Sequence, residues 1–321
     1  MDDADKVHVV VGASGGTGRA LVHELVRRGR RVRAINRSGH VNVPAGVEVI
    51  AADAADAARM QEACKDAGVV YNAVNPPFHR WREDFPAVVD GVLAGARSAD
   101  ARMVFVDDTW MYGRVDGPMT EDMPYRPVSD KGVLRAWLAE RVLAAHARGQ
   151  VRTVIGRATE LYGPGVESLL AGNIFKPALR GRRALWIGAL DQALGPTYIA
   201  DFAFGLAELG EREAAVGSAW HVPTPQPVTA GRFIQLVFAH AEHPVKVTRL
   251  SQSSVRALGV FWPVAREGAE MLYQFRQPHS VDASRYRTIA QERITPYDEG
   301  ISVTLSWYRH ESDNSFAAIG R

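Results

Sequence analysis

The sequence predicts an α/β protein: a doubly wound parallel sheet with a smaller C-terminal α/β domain for substrate. Three observations predict it. Over the first 157 positions, short and nearly continuous apolar runs alternate with amphipathic stretches of helical length. Strands buried on both faces and joined by helical crossovers read this way. The first apolar run, Val7-His8-Val9-Val10-Val11, passes through Gly12-Ala13-Ser14-Gly15-Gly16-Thr17-Gly18 directly into a helical pattern. After Arg157 the alternation lapses into turns, short strands and scattered aromatics.

Taken in order, the predicted strands are Val7–Val11, Arg31–Ile35, Val47–Ala51, Val69–Val74, Met103–Asp107 and Val151–Arg157. The predicted helices between them are Arg19–Arg28, Ala54–Asp66, Phe85–Ala99 and Gly132–Arg148. Sequential neighbours joined by right-handed crossovers make this a doubly wound sheet. Residues 1–157 are therefore assigned to a dinucleotide-binding domain and 158–321 mainly to a substrate domain, with segments crossing back to the sheet. In that second part the pattern predicts a turn at Tyr162-Gly163-Pro164-Gly165, a helix over Gly172–Arg180 and a strand over Ala184–Ile187. A helix over Asp201–Leu209 is expected to be capped by Asp201 and closed by Gly210, and one over Thr229–Ala239 by Thr229. Trp220-His221-Val222 reads as a strand, Phe261-Trp262-Pro263 and Met271–Phe275 as irregular, and Tyr297–Tyr308 as a last helix.

Composition narrows the function. Lys plus Arg number 38 against 36 acidic residues, a formal net charge of +2, and the two signs are interspersed. Short basic clusters such as Arg27-Arg28-Gly29-Arg30-Arg31 sit where helices end, where the helix dipole favours cations. No basic stripe interleaved with aromatics argues for nucleic acid. Cys64 is the only cysteine, so an intrachain disulfide is excluded and a reducing compartment fits. No apolar run is long enough for a membrane span, and a cytoplasmic protein is expected. No His/Asp/Glu pattern has metal-site spacing.

The glycine turn carries the strongest functional signal. Gly12, Gly15 and Gly18 are spaced G-x-x-G-x-x-G after a strand and before a helix. Such glycines permit a tight turn, close approach of a pyrophosphate and close helix–sheet contact. Gly16, Ser14 and Thr17 complete the cradle, and the helix N-terminus adds N–H groups. At the end of the second strand stand Asn36, Arg37 and Ser38, where selection of NAD normally uses an acid. A guanidinium there suits a 2′-phosphate, so the expected cofactor is NADP. Asp53 can accept from the adenine amino group, or cap the following helix.

With these motifs in order, the chain resembles the extended short-chain dehydrogenase/reductases, the superfamily of sugar-nucleotide epimerases, dehydratases and related reductases with a Rossmann coenzyme domain. Tyr112-Gly113, Arg157 with Leu161-Tyr162-Gly163-Pro164-Gly165, Tyr198-Ile199-Ala200-Asp201 and Ile294-Thr295-Pro296 extend the resemblance over nearly the full length. The resemblance implies catalysis by a tyrosine four positions before a lysine, with a hydroxyl residue one strand earlier. Lys131 falls at the lysine position, but Pro127 stands where the tyrosine belongs and Asp108 where the hydroxyl belongs. Thr109 and Tyr125 lie near enough to be considered as displaced donors. As a carboxylate, Asp108 would orient the ribose or a cationic substrate group; only burial would raise it into the range of a general acid.

Three functional readings stay open at this point. One is an NADP-dependent reductase of a carbonyl, enone or imine with a relocated proton donor, or with a cationic substrate favoured by Asp107 or Asp108. A second is an epimerase or dehydratase that keeps its cofactor. A third is an NADP-binding sensor or scaffold without turnover. For the substrate side, Asn75-Pro76-Pro77-Phe78-His79-Arg80-Trp81 follows the fourth strand on the carboxyl edge, where such sheets bind ligands. Asn75, Phe78, His79, Trp81, Trp110, Tyr112, Glu160, Asn173 and Tyr273 are the candidate substrate residues, with Trp262 and Phe275 as further aromatics. Arg182 and Arg266 keep a charged sugar nucleotide open, and His221 is read as structural. Similar proteins self-associate through helices like 85–99 and 132–148, so a homodimer is a possible state.

Overall fold

The computed structural model describes residues 6–250 and 270–319. Seven parallel strands form the main sheet: β1 (Val7–Val11), β2 (Val32–Asn36), β3 (Glu48–Ala51), β4 (Ala67–Asn72), β5 (Arg102–Asp107), β6 (Arg152–Arg157) and a late strand, Ala219–His221. Across the sheet they run from that late strand through β6, β5, β4, β1 and β2 to β3. Strand order reverses between β1 and β4, which opens a crevice at their carboxyl ends. The late strand pairs in parallel with β6, Trp220 opposite Gly156, so the sheet draws on residues beyond 157.

Both faces are covered. On one lie α1 (Gly16–Arg27) and the helix Ile199–Glu211, closing a core of Leu21, Val22, Leu25, Val104, Val154, Phe202 and Leu206. On the other lie α2 (Ala57–Ala63), α3 (Trp81–Ser98) and α4 (Asp130–Ala147), closing over Val9, Met60, Val70, Phe85, Val92, Phe105, Leu138 and Ile155. A second core gathers Phe175, Trp186, Phe233, Ile234, Val237, Ile301 and Leu305 beneath the helices Ala230–His240 and Tyr297–Ile319. Short strand pairs, Leu161–Tyr162 with Thr197–Tyr198 and Ala184–Ile187 with Val247–Leu250, frame that smaller lobe.

Several boundaries differ from the sequence expectation, each for a local reason. α2 begins at Ala57 because Asp56, not Asp53, caps it by accepting from Arg59 N. α3 begins a turn before Phe85, with Pro86 accommodated inside and Glu83 and Asp84 complementing its dipole. α4 begins at Asp130 because Ser129 caps Gly132 N, which brings Lys131 into the first helical turn. The helix expected from Asp201 starts at Ile199 with Tyr198 at its N-cap. Asp201 is instead buried and accepts from Thr295 N at 2.7 Å, Thr295 Oγ1 at 2.8 Å and Arg293 Nε at 3.1 Å. Thr229 does cap its helix, accepting from Arg232 N. Residues 171–175 form a π-helical turn running into the short helix Lys176–Leu179, and residues 270–275 a 3₁₀ helix. Phe261, Trp262, Pro263 and Arg266 lie outside the described residues.

Candidate active site

A cleft of about 710 Å³ opens along the carboxyl edge at the β1–β4 reversal. Gly12, Ser14, Gly15, Gly16 and Thr17 line it from the glycine turn, Asn36, Arg37 and Asp53 from the ends of β2 and β3, and Asn75, Pro76 and Pro77 from the loop after β4. The fit for an extended phosphate-bearing ligand rests on missing side-chain atoms. Gly12 has φ +85°, and a Cβ there would lie 2.7 Å from the backbone at Ala73 and Val74. At Gly18, which is buried, a Cβ would lie 2.2 Å from Gly12 O, so α1 rests directly on the turn. α1 has no side-chain cap at Gly15, which leaves its first N–H groups directed toward the cleft for an anion.

The smaller lobe closes the cleft from the other side. A Cβ on Gly16 would lie 2.6 Å from Gly165 O, so the loop 163–166 rides on the start of α1. Gly165 and Val166 line the cleft, as does Arg19, whose Nη2 approaches Gly165 O at 3.5 Å. Sequence reasoning passed over Arg19. Its signal was an electrostatic mismatch: a cation in the first turn of a helix opposes the dipole unless an anion sits there.

At the adenosine end, two expected ligands are otherwise engaged. Asn36 closes its own loop, donating to His40 O at 2.8 Å and accepting from Gly39 N at 2.7 Å. Ser38 Oγ bonds within the same turn, to His40. Arg37 is exposed on the cleft wall, and Asp53 holds Ala55 N at 3.0 Å with its carboxylate on the cleft.

The catalytic candidates separate into three settings. Tyr125 and Tyr112 belong to a buried network around Arg157, which is fully buried. Arg157 donates to Asp107 at 3.0 Å, to the Tyr112 hydroxyl at 2.6 Å and to the Tyr125 hydroxyl. The Tyr112 hydroxyl also lies 2.9 Å from His221 Nε2. Burial, reinforced by Arg157, pushes His221 down to about 3, so the imidazole is neutral. Tyr112 thus lies in the core, bonded to Arg157 and His221, and Tyr125 is drawn toward the guanidinium. Thr109 is buried against His279, Oγ1 to Nε2 3.4 Å. Burial brings His279 to about 4.

Asp108 has a different setting. Its backbone follows β5, Oδ1 accepts from Trp110 N at 2.9 Å, and Oδ2 lies 2.8 Å from Arg135 Nε. Its side chain keeps 18% exposure, against none for Asp107. Burial pushes its carboxyl up to about 6 against the pull of Arg135, and Asp107 adds to the rise. Glu160, just past β6, is raised to about 7 by burial, opposed by its bond from Leu169 N and reinforced by Asp108. Lys131 is not on the cleft lining. It stands 4.0 Å over the Phe78 ring and 3.6 Å from Glu270.

The aromatic candidates meet one another. Phe78 makes edge contacts with Trp81 and Trp110, and Trp81 stacks on Trp110 at 5.4 Å. Trp81 is a packing residue, buried and bonded to Pro76 O at 3.0 Å. Tyr273 is buried against Trp110 O at 3.4 Å, while Gln274, missed from sequence, accepts from Trp110 Nε1 at 3.2 Å. His79 is exposed on a 3₁₀ turn, and Asn173 is half-buried in the π-helical turn, a distortion frequent at functional sites. Among the described residues, no group of His, Cys, Asp and Glu is placed to hold a metal, and no helix is long and apolar enough to cross a membrane.

Comparison with known proteins adds the family context. The sequence profile described as the NAD dependent epimerase/dehydratase family matches residues 8–221. A 2-alkyl-3-oxoalkanoate reductase of Stenotrophomonas maltophilia (strain K279a) is 24% identical over 279 residues, 80% of this chain and 84% of that protein. The UDP-glucuronic acid 4-epimerase of Bacillus cereus, in complex with UDP-glucuronic acid and NAD, superposes with a TM-score of 0.77 at 18% identity, covering 95% of this chain and 99% of the other. The UDP-glucose 4-epimerase of Thermus thermophilus, in complex with NAD, gives 0.76 at 17% identity, covering 94% and 99%. These findings overturn the expectation of NADP: the family description and both coenzyme-bearing relatives name NAD. The cation at Arg37 was over-read, being an exposed loop residue whose neighbours Asn36 and Ser38 are bonded within their own turn.

Proposed function

Because the chain belongs to the NAD dependent epimerase/dehydratase family, we propose that it holds NAD in the cleft throughout catalysis and works on a hydroxyl-bearing carbon of a sugar or other small molecule. The chain is an NAD(P)-binding enzyme of the oxidoreductase and epimerase class with small-molecule substrates. NAD supplies reversible hydride exchange when bound. The residues that would hold it are the glycine turn and the first N–H groups of α1 for the pyrophosphate, with Arg19 beside them, and Asp53 for the adenine. Lys131 falls at the family's ribose-binding position and would have to turn from Phe78 and Glu270 to reach the ribose. Pro127 at the family's tyrosine position passes proton transfer to another group of this chain.

The observation that carries the retained-coenzyme reading is the closure of the smaller lobe onto α1, with Gly165 O within 2.6 Å of a Cβ at Gly16. A ligand on the glycine turn would lie against residues of both lobes, Gly165 and Val166 among them. A second reading, net reduction of an apolar oxo compound, is favoured by the Stenotrophomonas relative and by the aromatic wall of Phe78, Trp110 and Tyr273. Denaturing the purified, desalted protein and assaying the released nucleotide tests the first reading; near-stoichiometric NAD is expected. UDP-sugars and 2-alkyl-3-oxo acids are then offered in turn. Product inversion without loss of NADH absorbance supports the retained-coenzyme cycle, and steady NADH consumption with the oxo acids replaces it by the second reading.

A further inference from the structure

The amino edge of the sheet, opposite the coenzyme cleft, holds a second cavity, of about 290 Å³. Strand register builds it. His8 on β1 pairs with Val69 on β4, Val69 with Arg102 on β5, and Arg102 with Arg152 on β6, so these residues form one row at the strand starts. Lys6 joins the lining just before β1, Arg30 just past α1, and Glu211 from the end of the helix Ile199–Glu211. Four lining residues are cations, Lys6, Arg30, Arg102 and Arg152, and one is an anion, Glu211. The helix dipole accounts for Arg30. It does not account for Arg102 and Arg152, which open adjacent strands, where neighbouring like charges repel. The Arg102 side chain keeps only 9% exposure. The carboxylate that joins the two arginines is Glu213, which is 73% exposed, bonded to Arg102 Nη2 and 3.9 Å from Arg152 Nη1. Arg102 also donates to Gly210 O at 2.7 Å and Arg152 to Asp100 O at 3.2 Å, while Glu211 is divided between Arg30 at 2.9 Å and Arg28 at 3.2 Å.

We propose that this cavity is a second anion site, which takes a compact phosphate-bearing ligand on Arg102 and Arg152 and displaces the exposed Glu213 carboxylate from them. The cations come from two kinds of element, a row of strand starts and the end of α1, and so meet the cavity from different directions. A tetrahedral phosphate accepts from several directions at once, and guanidinium forks bind its oxygens in pairs. The volume falls below the range of about 300–1,000 Å³ usual for drug-sized ligands, which excludes a dinucleotide or a nucleotide sugar and leaves room for one or two phosphate groups. The site lies across the sheet from the glycine turn and is independent of the coenzyme reading above.

Titration calorimetry of the full chain with inorganic pyrophosphate, at fixed ionic strength and with or without excess NAD, tests the site. Saturable binding that persists with NAD present is expected. Arg30→Gln/Arg152→Gln, at two part-exposed positions, should weaken it about tenfold, the loss of two partly screened ion pairs. Glu213→Gln should tighten it about threefold, because a competing carboxylate is gone. Citrate, which carries similar charge on planar carboxylates, should bind more weakly; equal affinity overturns the phosphate assignment. Parent and Glu213→Gln proteins that both show no saturable heat up to about 1 mM overturn the site. Heat that the double variant keeps in full and that NAD abolishes belongs to the coenzyme cleft, and it overturns the site equally. A parent that binds no NAD counts against the coenzyme reading alone, and the double variant then decides the anion site.

Discussion

Arg157→Met is the perturbation that most directly probes the buried polar core beneath the site. The guanidinium has no exposure and holds Asp107 at 3.0 Å and Tyr112 at 2.6 Å, with Tyr125 on its third nitrogen. Removing one partner of a buried ion pair costs about 3–5 kcal/mol, because the remaining charge is left uncompensated. Here Arg135 still reaches Asp107 at 3.4 Å, which places the cost near the lower end, about 3 kcal/mol. A chain of this size loses about 2 °C of Tm per kcal/mol, so calorimetry should show a fall of about 6 °C. The double variant Asp107→Asn/Arg157→Met should recover about half of that, since a neutral amide needs no counter-ion. A single variant melting within about 1 °C of the parent, or a double variant equal to the sum of the singles, refutes the reasoning.

Gly18→Ala forces a Cβ to within 2.2 Å of Gly12 O and 2.8 Å of Ala13 Cα, all backbone; overpacking of this kind costs about 1–3 kcal/mol, and calorimetry should show NAD affinity falling at least about tenfold. Cys64 is buried and its thiol is pushed up to about 12 by burial against a weaker pull from Arg33, so mass spectrometry should find no iodoacetamide adduct at neutral pH until denaturant unfolds the chain. His221 and His279, depressed to about 3 and about 4, contribute stability that is complete above their unfolded value and is lost as pH falls, at about 1.4 kcal/mol per pH unit each. Asp108 and Glu160, raised to about 6 and about 7, act in the opposite sense, contributing at low pH and losing that as pH rises through those values. These four groups therefore oppose one another between about pH 4.5 and 6, and as pH falls across that window Asp108→Asn/Glu160→Gln should lose Tm more steeply than the parent. Parallel Tm–pH curves for the two proteins count against the assignment.

The sheet was legible because its code is local. Apolar strands such as Val7–Val11 and the glycine turn after them have no alternative that buries the same residues. Helix starts were less legible, since a cap is chosen among neighbouring polar residues by tertiary fit: Asp56 over Asp53, and Tyr198 over an Asp201 that Arg293 and Thr295 claim from a distant segment. The place of the glycine turn on the cleft could be read from sequence, whereas Arg19 was passed over and Asn36 and Ser38 prove to be bonded within their own turn. The reaction edge could not be read in this way. Tyr112 and Tyr125 carry the side chains of a ligand pocket, and only the distant partners Arg157 and His221 show that the interior engages them. Gln274 and Glu270 reach the site from about 140–165 residues downstream, a separation over which sequence pattern carries no register.

The segment before α4 is held by the loop after β5. Gly113, at φ +71°, admits the backbone of Arg126, whose N donates to Met111 O at 3.0 Å; a Cβ on Gly113 would overlap Arg126 O. The chain 123–128 is thereby fastened to the loop after β5, with Pro127 against Gly132 at the start of α4. Fastened so, Tyr125 meets Arg157 and Tyr112 in the interior, and the position four residues before Lys131 offers a ring without a proton. Asp108, just past β5, keeps part of its side chain exposed, and burial lifts its carboxyl to about 6 against the pull of Arg135. Gly113→Ala should loosen the hold on Tyr125 and with it the Arg157 network, although position 113 touches neither, and calorimetry should show a lower Tm than the parent.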